Sequence, residues 1–286
     1  MALPDFVIVG AMKCATSTLF DQLCAQPGIE GTEPKEPEFF SDDAVFARGL
    51  AWYEGLFAGM AEGSLKGEAS TGYTKRPTYP LAVERLAAAV PEARIVYVVR
   101  DPFERLVSQF IHEWTQGVMQ GPLDAALERH PELIDYSRYH WQIVPYVETF
   151  GRERICVTSQ EAVRRDGQGE LERVARFLGH AGPVAWVDDL GASNVSAERI
   201  RTFPLKRLVV DNPVAGALRR ALVPKGLREA VKRRLQMRER PVLSVAARDR
   251  LAPVFAEEMA ALAALFPEAP LPPVDRPART GEAADG

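Results

Sequence analysis

Apolar and polar positions along the chain follow two periods, and the periods mark out its elements. Residues 5–9 (DFVIV) form a short apolar run with β-branched members, closed by Gly10. An unbroken run of this length predicts a strand buried on both faces, as in a parallel sheet. RIVYVV (94–99) predicts the clearest strand and RICVTS (154–159) another. LKGEASTGY (65–73) reads as a short strand running into a polar loop. Between these runs the spacing becomes helical. One helix starts near Thr16 and stops before Pro27-Gly28, and one covers 80–90 and ends at Pro91. Others cover about 137–150, 169–179 with a stop at Gly179, and 246–266 with Pro253 inside. Residues 34–60, with KEPEFF and LAWYEGLF, are irregular and aromatic-rich.

The strand at 94–99 leads at once into Asp101-Pro102-Phe103-Glu104. Asp suits the N-cap, Pro the first helical turn and Glu the third position, which predicts a capping box. The helix it opens carries Phe103, Leu106, Val107, Phe110 and Trp114 on one face, with Arg105, Ser108 and His112 on another stripe. Strands alternating with helices predict an α/β fold of three layers, a central parallel sheet flanked by helices.

Composition narrows the class. The 286 residues are 47% hydrophobic and 26% charged, a globular balance, and the net charge of −4 gives no reason to expect nucleic-acid binding. No window approaches the roughly 18 to 20 apolar residues of a membrane span. The N-terminus lacks a basic region and a signal-length core, so a cytoplasmic location is expected. Cys14, Cys24 and Cys156 show no paired or metal-type spacing and read as reduced structural thiols. Residues 1–266 are expected to form a single domain, with 267–286 a disordered tail rich in Pro, Ala, Glu and Gly. Residues 219–240 carry nine Arg or Lys against two Glu, and read either as a solvated basic helical face or as a lid over an anionic ligand.

The candidate chemistry begins after the first strand. A glycine turn between a strand and a helix aims backbone N–H groups at an anion, and the helix dipole adds its positive end. In Gly10-Ala11-Met12-Lys13-Cys14-Ala15-Thr16-Ser17-Thr18, Lys13 adds a full charge and the last three residues add hydroxyls. The usual nucleoside-triphosphate loop places its lysine six residues after the first glycine, followed by a hydroxyl for Mg²⁺. Here the lysine comes three residues after Gly10, with no Gly-Lys-Ser/Thr triplet. The strand at 94–99 ends on Arg100 where a metal-binding strand would carry an acidic residue, and Asp101 serves as a cap. The loop therefore reads as a phosphate site poorly suited to a Mg²⁺-bound triphosphate, and no metal is expected. Arg100 would emerge on the same sheet edge as Lys13, since ligands of open α/β sheets sit beyond the carboxyl ends of strands. With Ser108, two turns into the next helix, it suits a second phosphate. His130 and His180 read as surface residues, whereas His112 and His140 stay open between structural roles and facing a ligand.

GAMKCATSTLF, KEPEFF and VVRDPFERLVSQF, in this order, resemble the segments of sulfotransferases that use 3′-phosphoadenosine 5′-phosphosulfate. The similarity is closest to the branch of the glycosaminoglycan sulfotransferases and many bacterial relatives. It runs from the first strand to FLG (177–179), and LAWYEGLF and GEASTGY look like family segments too. The resemblance implies a P-loop NTPase-like fold. It also implies transfer of a sulfuryl group to a hydroxyl of a small-molecule, lipid or sugar acceptor, leaving adenosine 3′,5′-bisphosphate.

By the same resemblance, residues Ala11, Met12, Lys13, Cys14, Ala15, Thr16, Ser17 and Thr18 hold the 5′-phosphosulfate, and Arg100 and Ser108 the 3′-phosphate. Glu36 takes the place of the base, with His112 and His140 the other candidates. Trp52, Tyr53 and Tyr73 line the acceptor pocket, stack on adenine or pack in the core, and Glu68 falls on the acceptor side. Three positions depart from the pattern. Cys14 stands where relatives often have glycine, and Ala69 where glycan enzymes often have a lysine. The late basic loop is matched only by Lys225, Gly226 and Arg228. The phosphosulfate bond is already activated, so catalysis reduces to positioning, stabilising the leaving phosphate and taking a proton from the acceptor. The rival readings are a nucleotide kinase and a nucleotide-binding protein without turnover.

Overall fold

The computed structural model describes residues 3–188, 190, 237 and 239–273. Where the sequence reads as one domain, the chain divides into two compact units. The first comprises 1–106, 132–192 and 245–286, and the second 107–131 and 193–244.

The first unit is built on five parallel strands in the order β2-β3-β1-β4-β5. They are β1 (Phe6–Gly10), β2 (Ile29–Gly31), β3 (Leu65–Ala69), β4 (Arg94–Val99) and β5 (Ile155–Ser159). Every residue of β1 and β5, and all of β4 after Arg94, is buried, as the apolar runs require of strands covered on both faces. Helices α1 (Thr16–Cys24), α4 (Ala82–Ala89), α8 (Tyr139–Phe150), α9 (Gln160–Arg165), α10 (Gly167–Phe177) and α11 (Val245–Leu265) flank the sheet. Three short ones, α2 (Asp43–Phe46), α3 (Leu50–Gly55) and α7 (Glu132–Asp135), fill connections. The sequence pattern did not mark α2, α3, α7 or α9, because a helix of four to six residues spans too few turns to show a period.

Helix α5 (Pro102–Thr115) begins in the first unit, and its residues from Val107 onward belong to the second. Asp101 caps it as expected, accepting from Glu104 N at 2.8 Å. The reciprocal half of the capping box does not form. Glu104 turns to Arg100 (2.9 Å), and Asp101 N donates instead to Glu161 Oε1 at 3.0 Å. Arg105, read as part of a polar stripe, is completely buried: its Nε donates to Ser137 Oγ (2.6 Å) and its Nη2 to Leu133 O (2.8 Å). The second unit, among the described residues, holds the rest of α5 and α6 (Leu123–Arg129). There Phe110, Leu123 and Ala126 are buried, and Ser244 N donates to Asp124 Oδ1 at 3.2 Å.

Two anchorages tie late segments to the first unit. Residues 184–187 run extended past α1 and α10 and are gripped by three glutamine side chains. Gln22 donates to Val187 O (2.7 Å) and accepts from Val187 N (2.9 Å). Gln26 does the same at Ala185 (3.0 and 2.9 Å). Gln168 donates to Val184 O (3.0 Å) and accepts from Trp186 N (2.8 Å). The tail expected to be disordered from residue 267 is placed as far as residue 273. Ser159 Oγ donates to Pro270 O, Arg152 Nε donates to Leu265 O at 2.8 Å, and Pro272 is buried.

Candidate active site

The site lies where the sheet changes winding direction. After β1 the chain turns through α1 toward β2, whereas after β4 it turns through α5 toward β5. The carboxyl ends of β1 and β4 therefore flank the crevice in which open α/β sheets bind ligands. The register between them slips by one residue, with Ile8 opposite Val96 and Gly10 opposite Tyr97, a bulge that re-aims the chain into the loop. Gly10 is required there. Its φ is +149°, and a Cβ would lie 1.9 Å from Thr74 Oγ1, which donates to Val9 O at 2.8 Å.

The loop's backbone is only partly available to an anion. Ala11 N donates to Val98 O (2.7 Å) and Cys14 N to Ala11 O (3.2 Å), so two of the N–H groups expected to face a phosphate are spent inside the protein. Lys13 and Ala15 adopt left-handed φ of 68° and 65°, and Ala15 occupies the N-cap of α1. The first helical bond runs from Leu19 N to Ala15 O (3.1 Å), so the amides of Thr16, Ser17 and Thr18 precede the ladder, as an anion site needs. Thr16 is buried, Ser17 half-buried and Thr18 exposed. Met12 and Lys13 are half-buried.

Cys14 points the other way. Its thiol is fully buried, lies 3.7 Å from Tyr139 Oη, and is pushed up to about 12 by burial. A thiol so placed is neither ligand nor nucleophile, and the residue belongs to the site through its backbone alone.

Arg100 is brought to the same place. Its Nη1 lies 3.5 Å from Lys13 O, while Nη2 pairs with Glu104 at 2.9 Å. Ser108 and His112, both half-buried, fall on the part of α5 that belongs to the second unit, apart from Arg100 and the Lys13 loop in the first. His140 is half-buried at the start of α8, beside the Tyr139 that meets Cys14. Lys225, Gly226, Arg228 and nearly all of 219–240 lie outside the described residues.

The segment 33–41 carries Glu36 and Glu38 in left-handed conformations, φ 55° and 54°. Glu36 keeps solvent on one side, but the protein packed around its other side, and then Glu38, raise its carboxyl above the usual carboxylate range. Lys75, Lys35 and Lys13 oppose that rise, which puts Lys13 and Glu36 within electrostatic reach of each other. Lys35 moors the segment to α1 through Ser17 O and Asp21 Oδ1, both at 3.0 Å. Glu38 moors it to the 3₁₀ turn Thr71–Thr74, accepting from Gly72 N (3.0 Å) and from Ser41 Oγ.

Of the roles open to Tyr53 and Tyr73, core packing is the one the structure shows, and Glu68, expected on the acceptor side, joins them there. Tyr53, Glu68 and Tyr73 are completely buried and form a closed cluster instead of an open wall. Glu68 accepts from Tyr53 Oη (2.7 Å), Tyr73 Oη (2.9 Å) and Ser70 Oγ (2.8 Å). Trp52 is half-buried, packs at a tilt against the Phe39 ring and carries the Arg48 guanidinium over its face. Sequence reasoning missed the anchoring roles of Lys35, Glu38 and Arg105, whose partners are far away in the chain. For Lys35 the only local signal was its place in the charged run before two phenylalanines. Among the described residues, no group of three or more His, Cys, Asp or Glu side chains is placed to hold a metal ion.

Comparison with known proteins adds to this geometry. A sequence profile described as the sulfotransferase family matches residues 4–182, more than half of the chain. Heparan sulfate glucosamine 3-O-sulfotransferase 3A1 of Mus musculus is 30% identical over 190 residues, which cover 62% of this chain and 46% of that protein. Membrane-associated sulfotransferase kil1 of Dictyostelium discoideum is 30% identical over 133 residues, 45% of this chain and 27% of that protein. The chain thus spans less than half the length of these curated relatives. A crystal structure of a sulfotransferase from Alicyclobacillus acidocaldarius aligns with 93% of this chain and 96% of its own at a TM-score of 0.67 and 23% identity, which establishes the shared fold.

Proposed function

We propose that this chain, which belongs to the sulfotransferase family, moves a sulfuryl group from 3′-phosphoadenosine 5′-phosphosulfate to a hydroxyl of a small-molecule, lipid or sugar acceptor. One observation carries the reading. The Arg100 guanidinium reaches the main chain of the Lys13 loop at the crevice between β1 and β4, where the first turn of α1 begins, and Lys13 is among the charges that act on the Glu36 carboxyl. Two cations and a helix N-terminus suit a ligand with two anionic groups, and a carboxyl of raised affinity for protons suits the removal of one.

In this reading the donor supplies a sulfur–oxygen bond already activated by its phosphate. Lys13 and the amides of Thr16–Thr18 hold the phosphate oxygen as negative charge grows on it. Arg100 holds the 3′-phosphate, sharing its guanidinium with Glu104. Glu36 takes the acceptor proton. Its left-handed backbone and the Lys35 mooring hold it beside the loop. Preorganised positive charge of this kind is typically the largest single contribution to catalysis by group transfer.

The test is thermal stabilisation by ligands. Adenosine 3′,5′-bisphosphate should raise the melting temperature without added metal. Stabilisation by ATP with Mg²⁺ and none by the bisphosphate would replace this reading with that of a nucleotide kinase.

A further inference from the structure

Glu68 has no part in the chemistry just proposed, yet it is a completely buried carboxylate that gathers three hydroxyl donors. Two of those hydroxyls do a second job. Ser70 Oγ accepts from Glu38 N at 3.0 Å, and Tyr73 Oη accepts from Phe40 N at 3.4 Å. A hydroxyl has one hydrogen, so giving it to Glu68 turns the lone pairs toward the amides. The carboxylate thereby dictates which way both hydroxyls point, and through them it fastens the backbone on which Glu36 sits two residues upstream.

We propose that Glu68 is a positioning residue of the sulfuryl-transfer site, holding the 36–41 segment through Ser70 and Tyr73 so that Glu36 faces the acceptor. The inference rests on the proposed reaction for its kinetic consequence, but not for its structural one.

Ionisation of Glu68 is central to this role. An ionised carboxylate only accepts, and satisfies all three donors at once. Protonated, it must donate into one of them, and that hydroxyl's own hydrogen turns toward an amide or away from the network. The titratable groups that face it are Tyr53 from α3, Tyr73 from the 3₁₀ turn, Glu38 from the 36–41 segment and Tyr146 from α8. Burial raises Glu68 to about 7, against the pull of the three hydroxyls. The switch between the two arrangements therefore falls near neutral pH.

The experiment compares wild type with Glu68→Gln, which imitates the protonated group, and with Ser70→Ala, which cuts only the link to Glu38. Three readouts are taken: affinity for adenosine 3′,5′-bisphosphate, kcat for hydrolysis of the phosphosulfate donor with water as acceptor, and hydrogen exchange at the amides of Glu38 and Phe40. Glu68→Gln should lower kcat about 10- to 100-fold, the scale of a misplaced catalytic group, and leave bisphosphate affinity within about twofold. It should speed exchange at both amides and remove the rise of wild-type kcat through about pH 7. Ser70→Ala should release Glu38 and leave Phe40 protected. A folded Glu68→Gln protein with wild-type kcat, pH profile and amide protection overturns the inference, as does an equal loss of affinity and kcat. If Glu68→Gln fails to fold, unchanged exchange at Glu38 in Ser70→Ala overturns it. Wild type that neither binds the bisphosphate nor hydrolyses the donor sinks the sulfuryl-transfer reading instead, while amide exchange still decides whether Glu68 holds the segment.

Discussion

Two neighbouring strand ends handle charge in opposite ways. β1 and β3 are paired in parallel, with Val7 opposite Glu68 and Ile8 opposite Ala69. Beyond β1, the loop bends through left-handed residues and leaves Lys13 half-buried at a crevice, beside a helix start rich in hydroxyls. On β3, Glu68 is sealed in the core and its hydroxyl partners face inward. In the proposed reaction the first region turns its charge toward a ligand. The second spends its charge on fixing the protein itself. One fold thus supplies both from the same edge of the sheet, and the difference lies in what closes over each: solvent on one side, and Tyr53, Tyr73 and Phe40 on the other.

The comparison breaks most visibly at Lys13. Lys13→Ala should lower turnover about 10²- to 10³-fold, the cost of losing one preorganised positive group. Denaturant midpoints should barely move, since a half-buried loop side chain contributes little to folding. Assays of donor hydrolysis beside urea melts would check both halves, and a stability loss matching the activity loss would erase the contrast. Glu68→Ala should show the reverse balance. It leaves two buried tyrosine hydroxyls without their acceptor and should cost about 2–4 kcal/mol of stability in urea unfolding.

Gly10→Ala probes the seam between the regions. Its Cβ would collide with Thr74 Oγ1 and strain a φ of +149°, for an expected loss of about 2 kcal/mol seen as a lower melting temperature. The collision also displaces the hydroxyl that binds Val9 O.

The pH dependence of stability sharpens the distinction further. Glu68 has a folded value of about 7 against 4.5 when exposed. The folded protein therefore holds this proton more tightly than the unfolded one. Glu68's contribution is full below about 4.5 and fades as pH rises through about 7, by at most on the order of 3 kcal/mol. Melts from about pH 5 to about pH 8 should show this slope in wild type and not in Glu68→Gln. The smallest effect belongs to Cys14. Burial holds its thiol at about 12, so iodoacetamide at neutral pH should leave it unmodified and bisphosphate binding unchanged, as mass spectrometry and a binding titration would record.

Much of the first region is legible in the chain. DFVIV, the glycine, the early lysine and RIVYVV followed by Arg100 each announce themselves locally, and the parallel sheet then brings their ends together. The 33–41 segment is legible only as a candidate for the base. Its left-handed turns at Glu36 and Glu38 have no residue signature, and its moorings to Asp21, Ser70 and Tyr73 join positions 14 to 33 residues apart. The resemblance puts Glu68 on the acceptor side, and helical spacing puts Arg105 on a stripe with Ser108 and His112. Both are buried against partners brought in by the fold, Ser137 and Leu133 in the case of Arg105 and the hydroxyls of Tyr53, Ser70 and Tyr73 in the case of Glu68. Local periodicity cannot register a polar group whose compensation arrives from elsewhere in the chain.

The glutamine grip on residues 184–187 amounts to a strand pairing made by side chains. Gln22, Gln26 and Gln168 each present one donor and one acceptor to the extended backbone, six hydrogen bonds in all. Main chain outside the sheet is thereby satisfied without a neighbouring strand. The hold depends on the amide group itself, because a carboxylate at the same place would keep the acceptor and lose the donor.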